Sequence, residues 1–265
     1  MHRSTRVGAG VRLLRDAVPD DHRRTMTDSA SQDAVQALLA ALERVRQHHV
    51  ERAAKPELSR ALTRVCEWQA RRLRRTYQDL EAQPRYEAAI RFFETDLYGG
   101  TDFAQRDADL ARVAPVFRRL LPASVIATVA TAVELNALSQ DLDRALVDAM
   151  VARDAGFSIA DYCRAYRKMG QYDRRARQIR LVGDVGVALD RYVGMPMLRG
   201  ALTLMRKPAK AAGLGALQDF LERGFGAFAR MRGAVELLAT IESRERAIHD
   251  AIVAGADAPF PDPLA

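Results

Sequence analysis

The chain has 265 residues, of which 48% are apolar and 28% charged, enough for the buried core of one large domain or two small ones. Aromatic residues make up 6%, and with 16 glycines and 10 prolines the composition excludes collagen-like, low-complexity and wholly disordered classes. The net charge of +7 comes from 41 basic and 34 acidic residues, and only four of the basic ones are lysine, a bias that a GC-rich genome produces without any nucleic-acid partner.

Residues 1–32 read as a polar leader, interrupted at Pro19, that carries a second methionine, Met26, just ahead of Thr27 and Asp28. We expect residues 1–25 to be disordered or to precede the true start. From residue 33 onward apolar residues recur at helical spacing while strand alternation and hairpin turn pairs are missing, so the fold class expected is all-α, one helical-bundle-like domain over 33–253. A first helix over 33–52 places Val35, Leu38, Leu39, Leu42 and Val45 on one face. Pro56 opens a second, with Leu58, Leu62, Val65, Leu73 and Leu80 in one arc and Arg60, Arg64, Arg71 and Arg75 opposite. The basic run Arg71, Arg72, Arg74 and Arg75 is read as a mostly solvated face. A third helix over 84–98 stripes Tyr86, Ile90, Phe93 and Leu97 together and stops at Gly99-Gly100. Thr101 or Asp102 then caps a segment reaching Leu121, bent near Pro115.

The stretch over 123–153 differs, because its apolar residues point in several directions; it is the expected central, buried helix. Ser158 followed by Asp161 is a capping box that starts a helix to Met169. Further helices are expected over 174–192, 196–205, 217–231 and 234–253, and residues 254–265 as a disordered tail.

No catalytic residue, cofactor or metal set emerges. Gly8-Ala9-Gly10 and Gly213-Leu214-Gly215 have Leu13 and Gln218 where a dinucleotide loop needs its third glycine, and neither follows a strand. Phosphate-loop, nucleophile-elbow and H-E-x-x-H patterns are missing. Glu245 and His249 share a helix face and are the one weak metal pair, far short of a di-metal carboxylate set. Cys66 and Cys163 stand alone, which excludes a disulfide framework and points to a reducing, cytoplasmic address. The apolar run over 123–133 is far short of the roughly 20 residues that span a bilayer, and the start has no secretory segment.

Three regions carry candidate function. Glu134 and Asn136 interrupt the apolar central helix and must find partners there, so a polar pocket between helices would use Glu94, Tyr98, Glu134 and Arg174, with Asn136, Arg167 and Gln178 as further ligand candidates. Tyr162 and Tyr166 alternate with Arg167, Arg174 and Arg175, a mixture that suits an anion or a nucleic-acid strand, although Arg174 and Gln178 share an arc with Leu181 and Val185 and so suit internal pairing better. Between Arg191 and Gln218 there is no acid, and Met195, Met197 and Met205 lie beside cations, as on a surface for a partner protein or a membrane.

The string Arg91-Phe92-Phe93-Glu94-Thr95-Asp96-Leu97-Tyr98-Gly99, with Asp102-Phe103, Arg106-Asp107, Asp109 and Leu121-Pro122, resembles the FFLEELY-motif family of bacterial proteins. Glu134-Leu135-Asn136, Ala165-Tyr166-Arg167, Arg177-Gln178-Ile179, Phe220-Leu221-Glu222 and Arg244-Glu245 fit the same pattern, so the likeness extends over 86–249. Thr95 departs from it, standing where the motif has glutamate. The resemblance implies a cytoplasmic helical protein and adds no reaction. The function expected is a non-enzymatic binding or regulatory module for an unknown protein. The alternatives are a carrier or enzyme for a small anionic ligand in the Glu94 pocket, and a nucleic-acid binder through residues 162–180.

Overall fold

The computed structural model describes residues 20–97, 104–116, 121–150 and 156–264, with backbone alone for 20–28, 94, 97 and 116. Among them every regular element is a helix: α1 (Asp20–Ala54), α2 (Pro56–Thr76), α3 (Gln78–Glu81), α4 (Glu87–Phe92), α5 (Ala104–Val113), α6 (Ala123–Ala149), α7 (Ile159–Met169), α8 (Tyr172–Val193), α9 (Pro196–Ala211), α10 (Gly215–Met231) and α11 (Val235–Val253). A π turn (Phe93–Leu97) extends α4, and a 3-10 turn (Ala114–Val116) extends α5. The all-α expectation holds.

α1 and α6 form the most extensive helix pair. Leu38, Ala41, Leu42 and Val45 of α1 pack on Ala130, Val133 and Ala137 of α6, where alanines let the two backbones approach. The C-terminal half of α6 turns Leu146, Val147 and Ala149 into a second core with Val65 and Trp68 of α2, Tyr162 and Cys163 of α7, and Ile248 and Ile252 of α11. A third core joins Tyr77, Leu80, Tyr86 and Ile90 to Phe228 and Met231 of α10 and Leu237 and Leu238 of α11. α6 therefore touches α1, α2, α7 and α8, and of its residues only Ser124, Ala127 and Asp148 are exposed. Its apolar residues point several ways because its two halves face different neighbours.

Several boundaries move. α1 begins at Asp20, so residues 20–32 of the expected leader are helical, and Ser31 is already buried. That segment is polar and shows no stripe to read. Residues 1–19 lie outside the described residues, as do Tyr98, Gly99, Gly100, Thr101 and Asp102, and the central helix ends at Ala149, short of the expected residue 153, because Met150 is extended. The second helix breaks at Tyr77, which leaves Leu80 on the separate turn α3. The third begins at Glu87 rather than residue 84, after a turn whose Tyr86 N–H donates to the Gln83 carbonyl. α9 runs past the expected end, through Pro208, to Ala211; the ring is exposed, where loss of one N–H is tolerated. Ser158 and Asp161 form both bonds of the capping box, and Gly170 ends α7 in the left-handed region at φ 62°.

The C-terminal tail carries no helix, yet its Phe260 ring is buried against Trp68, Tyr162 and the Arg72 guanidinium. Its anchoring role is invisible locally, because a single ring between prolines has no periodicity.

Two glycines allow close helix crossings. A Cβ on Gly186 of α8 would lie 2.4 Å from Cδ2 of Leu238 on α11, and one on Gly224 of α10 would lie 2.8 Å from the Phe92 ring on α4.

Candidate functional site

α2, α6, α7, α8 and α11 meet around a cluster of buried polar residues. On α2, Val65, Trp68, Gln69 and Arg72 occupy one face at helical spacing, so Gln69 and Arg72 are carried into the core with their apolar neighbours. The same register on α11 aligns Glu245, Ile248, His249 and Ile252, and on α7 it aligns Tyr162 with Tyr166. α8 contributes Arg175 and Gln178, both buried. Between them is a polar cavity of about 50 Å³ whose lining includes Arg72, Tyr162, Tyr166, Arg175, Gln178, Glu245 and His249.

Most of these groups have fixed partners. Arg72 donates from Nη1 and Nη2 to the two carboxylate oxygens of Glu245 at 2.5 and 2.7 Å, and the Tyr77 hydroxyl donates to the same group at 2.7 Å. Burial alone would push the Glu245 carboxyl up; the Arg72 charge and these hydrogen bonds hold it below the ordinary carboxylate range. The Tyr166 hydroxyl lies 2.6 Å from Nδ1 of His249. Burial lowers the His249 pKa and raises that of Tyr166, which favours the neutral form of both; the imidazole tautomer sets which of the two donates. Gln178 donates to the Ser139 hydroxyl at 2.7 Å and accepts from Arg175 Nη1 at 3.0 Å. Asp143, on α6, accepts from Gln69 at 2.9 Å and lies 3.8 Å from Arg175 Nη2; burial pushes its carboxyl up, against the pull of Arg175.

A second network, half-buried, crosses α1, α6 and α8. Arg44 reaches Glu134 at 2.5 Å and Asp141 at 2.7 Å. Asp141 also meets His48 at 2.6 Å and Arg174 at 2.5 Å, and Arg177 stands 3.5 Å from Glu134. Burial would raise the Asp141 carboxyl, but Arg44, His48 and Arg174 bring it below its ordinary value.

The sequence-derived candidates are thereby redistributed. Glu134 and Arg174 do join one network, but as ion-pair partners rather than as walls of a pocket. The Glu94 side chain and Tyr98 lie outside the described residues. Asn136 accepts from Gln140 on its own helix at 3.3 Å. Arg167 caps the end of α11, donating to the Ala256 carbonyl at 3.0 Å and to Asp257 at 2.6 Å. Tyr162, Tyr166 and Arg175, expected as partner contacts, are buried instead, because their helix faces inward at those positions. The rings among the basic residues of 162–180 therefore form no exposed stacking platform.

Arg72, read as part of a solvated run, is also inside, paired with Glu245. The weak metal pair dissolves too: Glu245 is committed to Arg72 and Tyr77, and His249 to Tyr166. Among the described residues no group of three or more His, Cys, Asp or Glu side chains is gathered as a metal site would require. Gln69, Arg72, Asp143 and Tyr77 were missed as site residues. For Gln69 and Arg72 the signal was present, since both fall on the arc of Val65.

The Met-bearing segment does lie at the surface. Met195, Met197, Leu204 and Met205 are exposed, Met197 by 72% and Leu204 by 78%. α9 is held to α10 by Arg206–Glu222 and Lys210–Asp219 ion pairs and by Gln218, whose amide donates to the Leu202 carbonyl at 2.8 Å. Arg191, Arg199 and Lys207 are exposed and have no acidic partner among the described residues. Beside this helix an open groove of about 720 Å³ is lined by Val193, Gly194, Pro196, Arg199, Gly200, Thr203 and Leu204.

A family model described as Domain of unknown function (DUF8198) matches residues 23–259, and the chain belongs to that family. No curated protein and no solved structure matches it.

Proposed function

We propose that this chain is a non-enzymatic binding or regulatory module that docks an acidic amphipathic helix of a partner protein on the α9 surface. The observation that carries the reading is the combination on α9 of large exposed apolar side chains, a groove beside them and cations without acidic partners. Apolar groups left in water at this density are uncommon on a self-contained surface, and soft methionines adapt to a helix laid against them. Arg191, Arg199 and Lys207 at the rim match an acidic face. The concave groove favours an inserted side chain over a flat lipid surface, and no described helix is long and apolar enough to cross a membrane.

The ion-paired state of Glu134 and Arg174 supports a binding module over a catalytic pocket at that place. The inward-facing Tyr162 and Tyr166 count against a nucleic-acid strand on α7 and α8. A bacterial cytoplasmic setting and the FFLEELY-type motif at Arg91–Gly99 belong to the same reading.

The test is fluorescence anisotropy with a labelled, designed leucine-glutamate amphipathic helix, beside anionic phospholipid vesicles and single-stranded DNA. We expect saturable binding of the peptide that weakens about tenfold or more in Met197→Asp/Leu204→Asp, the scale of losing two buried apolar anchors. Equal affinity in the variant, or vesicles or DNA binding more tightly than the peptide, would overturn the proposal.

A further inference from the structure

Gly200 lies inside α9, where glycine is a far poorer helix former than alanine. Nothing in the backbone calls for it there. Its φ is outside the left-handed region, and a Cβ placed on it would meet no described atom within 4 Å. Other helix-interior glycines have different surroundings. Gly186 and Gly224 are kept bare by Leu238 and Phe92 across close crossings, and a Cβ on Gly183 would lie 3.5 Å from Glu242 Oε2. Gly226 of α10 is equally clear of neighbours, but it is half-buried and does not line the α9 groove. Gly200 is exposed and does line it.

The groove follows one face of α9. Pro196, Arg199, Gly200, Thr203 and Leu204 have the i, i+3, i+4, i+7 and i+8 spacing that sets side chains on a single stripe. Val193 and Gly194, at the end of α8, contribute the rest of the lining. The missing Cβ leaves bare backbone between Pro196, one turn before, and the exposed Leu204, one turn after. Arg199 adjoins this position, and Lys207 continues the stripe about 10 Å further along the axis.

We propose that Gly200 is the specificity-determining residue of this groove. Its bare backbone is a notch for one large apolar side chain, phenylalanine or leucine, on an acidic helix whose glutamates reach Arg199 and Lys207. This rests on the docking reading and adds what the partner must carry. The exposed leucine and methionines supply apolar area without position, whereas the notch admits the anchor close to the α9 backbone and fixes the register of the docked helix.

Two labelled leucine-glutamate helices, identical except for phenylalanine or alanine at the central apolar position, test this by anisotropy on the full chain. The native chain should bind the phenylalanine helix about tenfold or more tightly than the alanine helix, the scale of one buried aromatic anchor. Gly200→Leu fills the notch and should weaken the phenylalanine helix about tenfold or more while leaving the alanine helix within about twofold. Should that variant not fold, Gly200→Ala decides. It should raise the thermal midpoint by about 2–4 °C and still weaken the phenylalanine helix about threefold or more. Stability that rises while affinity falls is a result that a merely structural glycine would not give.

The assignment is overturned, with the docking reading left in place, by any of three results: no preference of the native chain for the phenylalanine helix, equal weakening of both helices by Gly200→Leu, or undiminished phenylalanine-helix binding or a lowered midpoint in Gly200→Ala. Failure of both helices to saturate the native chain would overturn the docking reading and this inference together.

Discussion

Replacing Glu245 by glutamine isolates a buried charged contact that is doubly hydrogen-bonded. Arg72 and Glu245 keep 9% and 17% of their side chains exposed, so the pair is scarcely screened, and the two oxygens of the carboxylate accept from guanidinium nitrogens at 2.5 and 2.7 Å. The glutamine preserves shape and removes only the charge, leaving Arg72 buried without its counterion. Breaking such a pair from one side destabilises by about 3–5 kcal/mol. For a folded unit of this size that corresponds to roughly 6–20 °C in thermal midpoint.

Because much of this loss is the burden of the stranded partner, Arg72→Met/Glu245→Leu should recover most of it. The pH dependence follows from the direction of the Glu245 shift. A carboxyl whose folded pKa lies below its unfolded value stabilises above the unfolded value, and that contribution fades as pH falls through the folded one. The native chain should lose this part of its stability on acidification below the ordinary carboxylate range, and Glu245→Gln should not. Urea unfolding followed by circular dichroism at several pH values measures the native chain and both variants. A loss under about 1 kcal/mol for Glu245→Gln, or a double variant as unstable as Glu245→Gln, would refute the account.

Two further perturbations probe packing. Gly186→Ala forces a methyl group to within 2.4 Å of Leu238 Cδ2 in a buried crossing, and should destabilise by about 1–3 kcal/mol despite alanine's better helix propensity. Thermal melts of Gly186→Ala in the native and in the Leu238→Ala background check it: if the clash is the cause, the glycine change costs less once Leu238 is truncated. Phe260→Ala removes a ring that covers Trp68, and should lower stability by about 3 kcal/mol and shift Trp68 emission to the red. An unaltered spectrum and midpoint would show that the tail is not anchored there.

The helices were legible because periodicity is a local property: Leu38, Leu42 and Val45 declare a buried face without reference to what covers it. The capping box at Ser158 and the proline start at Pro56 were equally plain, each being chemistry confined to one turn. Less legible was where a polar residue on such a face goes. Arg72 sits one residue after Arg71, and only its angular position separates a buried ion from a wet one. Tyr162 and Tyr166 alternate with cations in sequence but not in space, since residues four apart on α7 share the inward side. The polar cavity draws on four helices, so the pairing of Glu245 with an arginine far upstream lay in the tertiary arrangement alone. Tail docking through Phe260 was hidden for the same reason.

The pairing of α1 with α6 also sets an order of events in synthesis. The Arg44–Glu134 contact joins residues 90 positions apart, and the apolar stripe of α1 rests on alanines that the ribosome delivers much later. At about 5–20 residues per second, Leu38, Leu42 and Val45 wait on the order of ten seconds for their cover. During that interval the nascent chain displays a greasy ridge only partly sheathed by Leu110 and Ala114, and the helices that follow it, whose partners lie beyond residue 220, stay unroofed for longer still.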